Sequence, residues 1–136
     1  ADAMKAGSHG STFGGNPLAM AVGNAVLDVV LADRFMDNVT ARAEQLAKGL
    51  DALVKKHPDI LAGHRGMGLM QGLQCQGENG ENGTLVGKLM AGGLLTVPAG
   101  DNIVRMVPPL TIEATHVEEA LSILDAAVGE MTTKAA

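Results

Sequence analysis

Two places in the chain hold side chains suited to anion chemistry. The first is Gly7-Ser8-His9-Gly10-Ser11-Thr12-Phe13-Gly14-Gly15-Asn16-Pro17. Hydroxyls flanked by glycine, just ahead of a helix start, can offer O–H and backbone N–H donors to phosphate oxygens. The helix end adds a favourable field. The segment has neither the Gly-Lys-Ser/Thr of a P-loop nor the GxGxxG spacing of a dinucleotide fingerprint. Its other reading is a flexible lead-in that ends in a good N-cap, and composition by itself favours that one. The second place is Arg105, in Ile103-Val104-Arg105-Met106-Val107-Pro108. A guanidinium in an apolar strand is costly if buried without a partner. Its planar fork suits a carboxylate, through two parallel hydrogen bonds. An outward-facing Arg on an edge strand fits the same residues, so both readings stay open.

Other reactive residues point to less. His9, His57, His64 and His116 stand at no metal spacing and beside no acidic cluster, so surface or capping roles are expected and no metal site. His9 beside Ser11 suggests a hydrolase, yet no G-x-S-x-G elbow follows a strand. Arg65-Gly66-Met67-Gly68 reads as a tight turn into a strand. Cys75 is the one cysteine, which excludes an internal disulfide or a cysteine-based zinc site. It is expected to be a small buried hydrophobe in a reducing, cytoplasmic setting.

The composition narrows the classes. A chain of 136 residues suits one domain. With 46% hydrophobic and 18% charged residues it is neither a disordered tail nor a coiled coil. Trp and Tyr are absent and there are two Phe, so Leu, Val, Ile, Met and Ala must build the core. The net charge of −5 and the missing aromatic platforms argue against nucleic acid. No apolar run approaches the ~20 residues of a membrane helix. The start at Ala1 is neither a signal peptide nor a Met, which suggests a processed chain or a piece of a longer one.

The elements follow from periodicity and punctuation. Asn16 as N-cap and Pro17 at the first helical position open a helix over about 17–31. It is apolar nearly all round, so both sides are expected to be buried. Its cover would have to come from outside this chain. A second helix runs over about 34–57, with its stripe at Phe35, Val39, Leu46, Leu50 and Leu53, and Pro58 ends it. A strand is predicted at 69–75, a turn-rich loop at 77–83, a short helix at 84–91, and a hairpin of 94–97 with 103–107. A last helix covers about 114–131, and 132–136 form a frayed tail. The order predicts an α+β fold, a small antiparallel-containing sheet with helices on one face. Residues 1–31 form the loop and an interdomain helix; residues 32–136 form the α+β domain.

Three stretches carry a family resemblance. GSHGSTFGGNPLA resembles a signature of the class III aminotransferases. HRGMGLMQGLQ is similar to the family's RG-x-GLM-x-G strand, GGLLTVPAGDNIVRMVPPLTI to its GLL…N-V-x-R-x-x-PPL-x-I stretch, and VEEALSIL to its closing helix. The resemblance covers essentially the whole chain and implies the C-terminal small domain of a fold-type I enzyme. It implies pyridoxal 5′-phosphate as cofactor, a homodimer, and amino and oxo acids as substrates. It further implies transfer of an amino group from N-acetylornithine to 2-oxoglutarate in arginine synthesis. Ornithine, succinylornithine or 4-aminobutyrate are alternative donors. A non-catalytic α+β binding or dimerisation module is the alternative from another class.

In the family the Schiff-base lysine lies upstream of GSHGSTFGG. Lys5 is too close to that motif, Lys48, Lys55, Lys56 and Lys88 sit on polar helix faces, and Lys134 is in the tail. No catalytic lysine is carried over, and the isolated chain is expected to be inactive. Ser11 and Thr12 match the positions that contact the cofactor phosphate of the neighbouring subunit. Arg105 matches the Arg that binds the substrate carboxylate. Two departures stand out: Met106-Val107 replaces Phe-Ala, and Glu113 replaces an N-capping Ser or Thr, which predicts a poorer cap.

Overall fold

The structure, a computed structural model, describes residues 7, 10–77 and 80–133. The readings placed on Lys5, Ser8, His9, Lys134 and part of the 77–83 loop therefore lie outside the described residues. The chain divides into two compact units, Ala1–Met36 and Asp37–Ala136.

In the first unit, α1 spans Pro17–Val30. It starts as expected: Asn16 Oδ1 accepts from the Ala19 N–H at 2.9 Å and Pro17 occupies the first turn. That supplies an acceptor to one of the N–H groups a helix start leaves orphaned. The expected burial of both sides is not met within this chain, because α1 has no buried residue. Leu18, Val22, Val26 and Val29 are each more than half exposed. Apolar spacing sets the helix, but burial also requires an opposing surface, which spacing does not supply.

The second unit holds the core. The next helix, α2, is Phe35–Lys56, and buries Val39, Leu46, Leu50 and Leu53. Four strands follow: β1 Leu61–Met67, β2 Met70–Cys75, β3 Val97–Ala99 and β4 Ile103–Met106. Between β2 and β3 lies α3, Asn82–Ala91, and α4, Ala114–Thr133, closes the chain. The sheet is antiparallel throughout, in the order β1-β2-β4-β3. Its class is the expected α+β.

Helix α4 runs on to Thr133, into the stretch expected to fray, and two strands differ more. Residues 61–67 are a strand rather than a lead-in and tight turn. The turn is shorter, at Gly68-Leu69 between the paired Met67 and Met70. Gly68 sits at φ +56, where a side chain would be strained. Two glycines and a histidine hid this strand, because it borrows its regularity from pairing with β2. The second hairpin is present but shifted: β3 is 97–99 rather than 94–97, so Pro98 lies inside it. Pro98 is tolerated because β3 is an edge strand.

Strand alternation sorts the sheet into two faces. Leu73 pairs with Val104, and both are fully buried. Cys75 and Met106 share that face and are buried too. His64, paired with Leu73, reaches Asp51 of α2 at 3.2 Å, which puts α2 on this side. Leu85, Leu89, Val117, Leu124 and Val128 complete the core, each buried side chain contributing about 1.5–3 kcal/mol. Side-chain bonds tie the helices together. Asp125 of α4 takes Lys56 at 2.6 Å and His57 at 2.7 Å. Gln45 of α2 donates to the Ala114 carbonyl at 3.2 Å. The cap of α4 is better than Glu113 predicts, because His116 Nδ1 accepts from the Glu113 N–H at 3.0 Å. This is the reciprocal half of a capping box, made by a histidine.

Candidate functional site

Arg105 occupies the third position of β4, between the buried Val104 and Met106. Those two side chains anchor the strand on the helix side, and alternation turns Arg105 to the other. One register row crosses the sheet there: Arg65 pairs with Gly72, Gly72 with Arg105, and Arg105 with Val97. Arg65 and Arg105 thus share the open face, with a glycine between them. Both are exposed. These residues, with Met70, Gly100 and Asp101, line an open concavity of about 350 Å³. Gly72 keeps its floor clear, since a Cβ there would stand 2.8 Å from Ile103 Cγ2.

The two guanidiniums differ in what holds them. Arg65 Nη2 donates to Asp101 Oδ2 at 3.1 Å. The Arg105 side chain has no hydrogen bond or ion pair among the described residues, so its fork is available to a carboxylate. The β3–β4 loop that carries Asp101 is held by Asn102. Asn102 Nδ2 donates to the carbonyls of Cys75 at 2.9 Å and Gly80 at 2.7 Å, and its Oδ1 accepts from the Asn82 N–H at 2.8 Å. Asn82 in turn donates to the carbonyls of Ala99 and Ile103. This network pins the end of β2, the start of α3 and the hairpin that presents Arg105. Asp101 and Asn102 take φ of 58° and 57°, a region that short polar side chains tolerate better than most.

The hydroxyl segment belongs to the first unit. Ser11 and Thr12 are both exposed. Ser11 Oγ accepts from the Gly14 N–H at 2.8 Å, which leaves the Ser11 O–H proton to donate elsewhere. Gly14 must be glycine for this turn, because a Cβ would lie 2.9 Å from Ser11 Cβ and Oγ. The structure groups Ser11 with Gly14 and Asn16, and Arg105 with Arg65, Gly72 and Asp101; the two sets lie in different units.

The remaining candidates are accounted for structurally. Lys56 pairs with Asp125 and Lys88 with Glu130 at 2.6 Å, while Lys48 and Lys55 are exposed. Burial pushes the Cys75 thiol up to about 11, so it stays protonated and unreactive. Hydrogen bonds from His57 and then Lys56 hold the Asp125 carboxyl below its ordinary value. Among the described residues no group of three His, Cys, Asp or Glu could hold a metal ion, and no helix is long and apolar enough to cross a membrane. Sequence reasoning missed Arg65, Gly72, Asp101 and Asn102. Only the pairings of β1 with β2 and of β2 with β4 put Arg65 and Arg105 on one face, across Gly72. An isolated Asp-Asn after glycine signals a turn, without saying what the Asp faces.

The fold and these motifs define a class. The family profile described as aminotransferase class-III matches residues 1–128, and the chain belongs to that family. Within it, the chain is similar to proteins named acetylornithine aminotransferase: 47% identical over the whole of this chain and 33% of the Agrobacterium fabrum protein, and 51% identical over 88% of this chain and 29% of the Mesorhizobium japonicum protein. The structure resembles acetylornithine aminotransferase from Elizabethkingia anophelis, with a TM-score of 0.79, 33% identity, and coverage of 95% of this chain and 34% of that one. It also resembles ornithine aminotransferase from Plasmodium yoelii, with a TM-score of 0.82, 29% identity, and coverage of 94% of this chain and 34% of that one. The chain spans about a third of the length of these relatives.

Proposed function

We propose that this chain forms the C-terminal part of a pyridoxal-5′-phosphate-dependent aminotransferase. The whole enzyme would move an amino group from N-acetylornithine to 2-oxoglutarate, in arginine biosynthesis, as a cytoplasmic homodimer. The observation that carries the reading is Arg105: a guanidinium without a partner among the described residues, over an open concavity, in a chain of this family. The similarity to acetylornithine aminotransferases favours N-acetylornithine among possible donors. The likeness to an ornithine aminotransferase keeps ornithine as the second reading. The apolar, unburied α1 supports a partner surface, from the rest of the enzyme or from its second subunit.

The residues present fit the cofactor's phosphate. Ser11 has a donor proton to spare, Thr12 is exposed, and no carboxylate lies in 10–16 to repel an anion. Ser11 and Thr12 would donate to phosphate oxygens ahead of the α1 N-terminus. Pyridoxal 5′-phosphate, when bound, supplies the electron sink for amino transfer. Arg105 would take the substrate carboxylate through its fork and so fix which end of the substrate faces the reacting carbon. No lysine of this chain is assigned to the cofactor, so the isolated chain should be inactive.

The test is amino transfer by the full-length protein. N-acetylornithine with 2-oxoglutarate should yield glutamate at a higher kcat/KM than ornithine, succinylornithine or 4-aminobutyrate. Preference for another donor would move the assignment to that substrate. A cofactor-loaded protein that produces glutamate from none of the four would overturn the reading, as would turnover by the isolated chain.

A further inference from the structure

We propose that Asp101 is a positioning residue for the carboxylate site. By engaging Arg65 it keeps a second guanidinium from closing on an anion bound at Arg105, and so limits how tightly carboxylates bind. The proposal rests on the reading of Arg105 as the carboxylate ligand.

The argument comes from the register row. Arg65 and Arg105 flank Gly72 on one face of the sheet. Their Cα atoms are two strand spacings apart, about 10 Å. The residue between them is a glycine, and both line the same concavity. A carboxylate seated at Arg105 therefore lies within the sweep of the long Arg65 side chain. Asp101 already occupies that guanidinium, at 3.1 Å, from the loop directly before Arg105's strand. Its carboxylate also offsets the charge of Arg65, so the concavity presents the net field of one cation rather than two. Asp101 holds a φ of 58° to do this, at a position where glycine or asparagine would be less strained or equally at ease. An internal carboxylate thus competes with the substrate's for Arg65. The competition matters most for a dianion such as 2-oxoglutarate, on which an added positive charge acts twice.

The experiment uses the full-length, cofactor-loaded enzyme and the variants Asp101→Asn, Asp101→Gly, Arg65→Gln, Asp101→Asn with Arg65→Gln, and Arg105→Lys. Asn and Gly both accept the left-handed backbone, so loss of the fold is not the expected outcome. In the Asp101 variants the KM for 2-oxoglutarate should fall about two- to fivefold, the scale of an exposed charge contact. It should fall by more than kcat changes, and the gain should fade as salt is raised. Adding Arg65→Gln should cancel the gain, because Arg65 is its agent. Arg105→Lys reports on the underlying reading: an unchanged KM there means Arg105 is not the carboxylate ligand. If Arg105→Lys raises KM while the Asp101 variants leave it unchanged or raise it, the proposal for Asp101 alone is overturned. A lowered KM that survives Arg65→Gln overturns it as well.

Discussion

Replacing Arg105 by Lys should separate carboxylate binding from folding. The side chain is exposed and makes no bond among the described residues, while its neighbours Val104 and Met106 carry the packing of β4. Losing the guanidinium therefore orphans no protein group, and the unfolding free energy should move by no more than about 0.5 kcal/mol. The cost should fall on substrate. A forked guanidinium makes two charge-assisted hydrogen bonds to one carboxylate; an ammonium keeps the charge but reproduces only one of them. A hydrogen bond to a charged group is worth about 1.5–3 kcal/mol. The expected loss in kcat/KM is then roughly 10- to 150-fold, carried largely by KM for both amino and oxo acid. Steady-state kinetics of the full-length enzyme, with cofactor absorbance and a thermal melt on the same samples, provide the three readouts. An unchanged kcat/KM with intact cofactor absorbance would refute a carboxylate role for Arg105. A large drop in melting temperature would refute the claim that its packing is dispensable.

Three further outcomes follow from single contacts. Thr12→Ala should weaken cofactor binding by about 1.5–3 kcal/mol, the worth of a hydrogen bond to a charged phosphate; equal affinity in a cofactor titration would remove Thr12 from the site. Gly49→Ala sets two effects against each other: α2 gains about 1 kcal/mol of helix propensity, but the new Cβ would overlap Leu121 Cδ1 and Cδ2 of α4. Overpacking costs about 1–3 kcal/mol, so denaturant melts should show net destabilisation, and a stabilised variant would mean that Leu121 swings clear. Asp125 links pH to the α2–α4 contact. Its folded-state pKa is depressed, by the His57 hydrogen bond first and Lys56 second. Its stabilisation is therefore present above the unfolded value of about 4 and lost as pH falls through the lower folded value. Asp125→Asn should lose less stability than the parent as pH falls through about 4 and below, by a modest margin because the pair is partly exposed; parallel losses would show that the pair contributes nothing.

The helices were legible in the residues themselves. Asn16-Pro17 marks the start of α1, the Leu46–Leu50–Leu53 spacing marks α2, and Val117–Leu121–Leu124–Val128 marks α4. Each signal is local, because a helix satisfies its backbone within itself. The strands were less legible. β1, with its glycines and histidine, has no alternation of its own and exists through its pairing with β2. The register of β3 depends on the three-residue loop to β4, which set it three residues later than its apolar run suggested. The donor groups of Ser11, Thr12 and Arg105, which suit an anion, were likewise legible in residue type, and the family resemblance followed from the motifs around them.

What residue type could not convey was arrangement. Whether Arg105 faces solvent or core hung on strand parity, and a shift of one residue would have reversed it. Four antiparallel strands in the order β1-β2-β4-β3 set that parity and brought Arg65 and Asp101 to the same face. The sequence by itself determined the family, the helices and the chemical types available for binding anions, because those depend on side chains and short-range spacing. The tertiary structure alone decided which of Arg65 and Arg105 has a partner among the described residues, because that depends on a pairing between residues 36 positions apart.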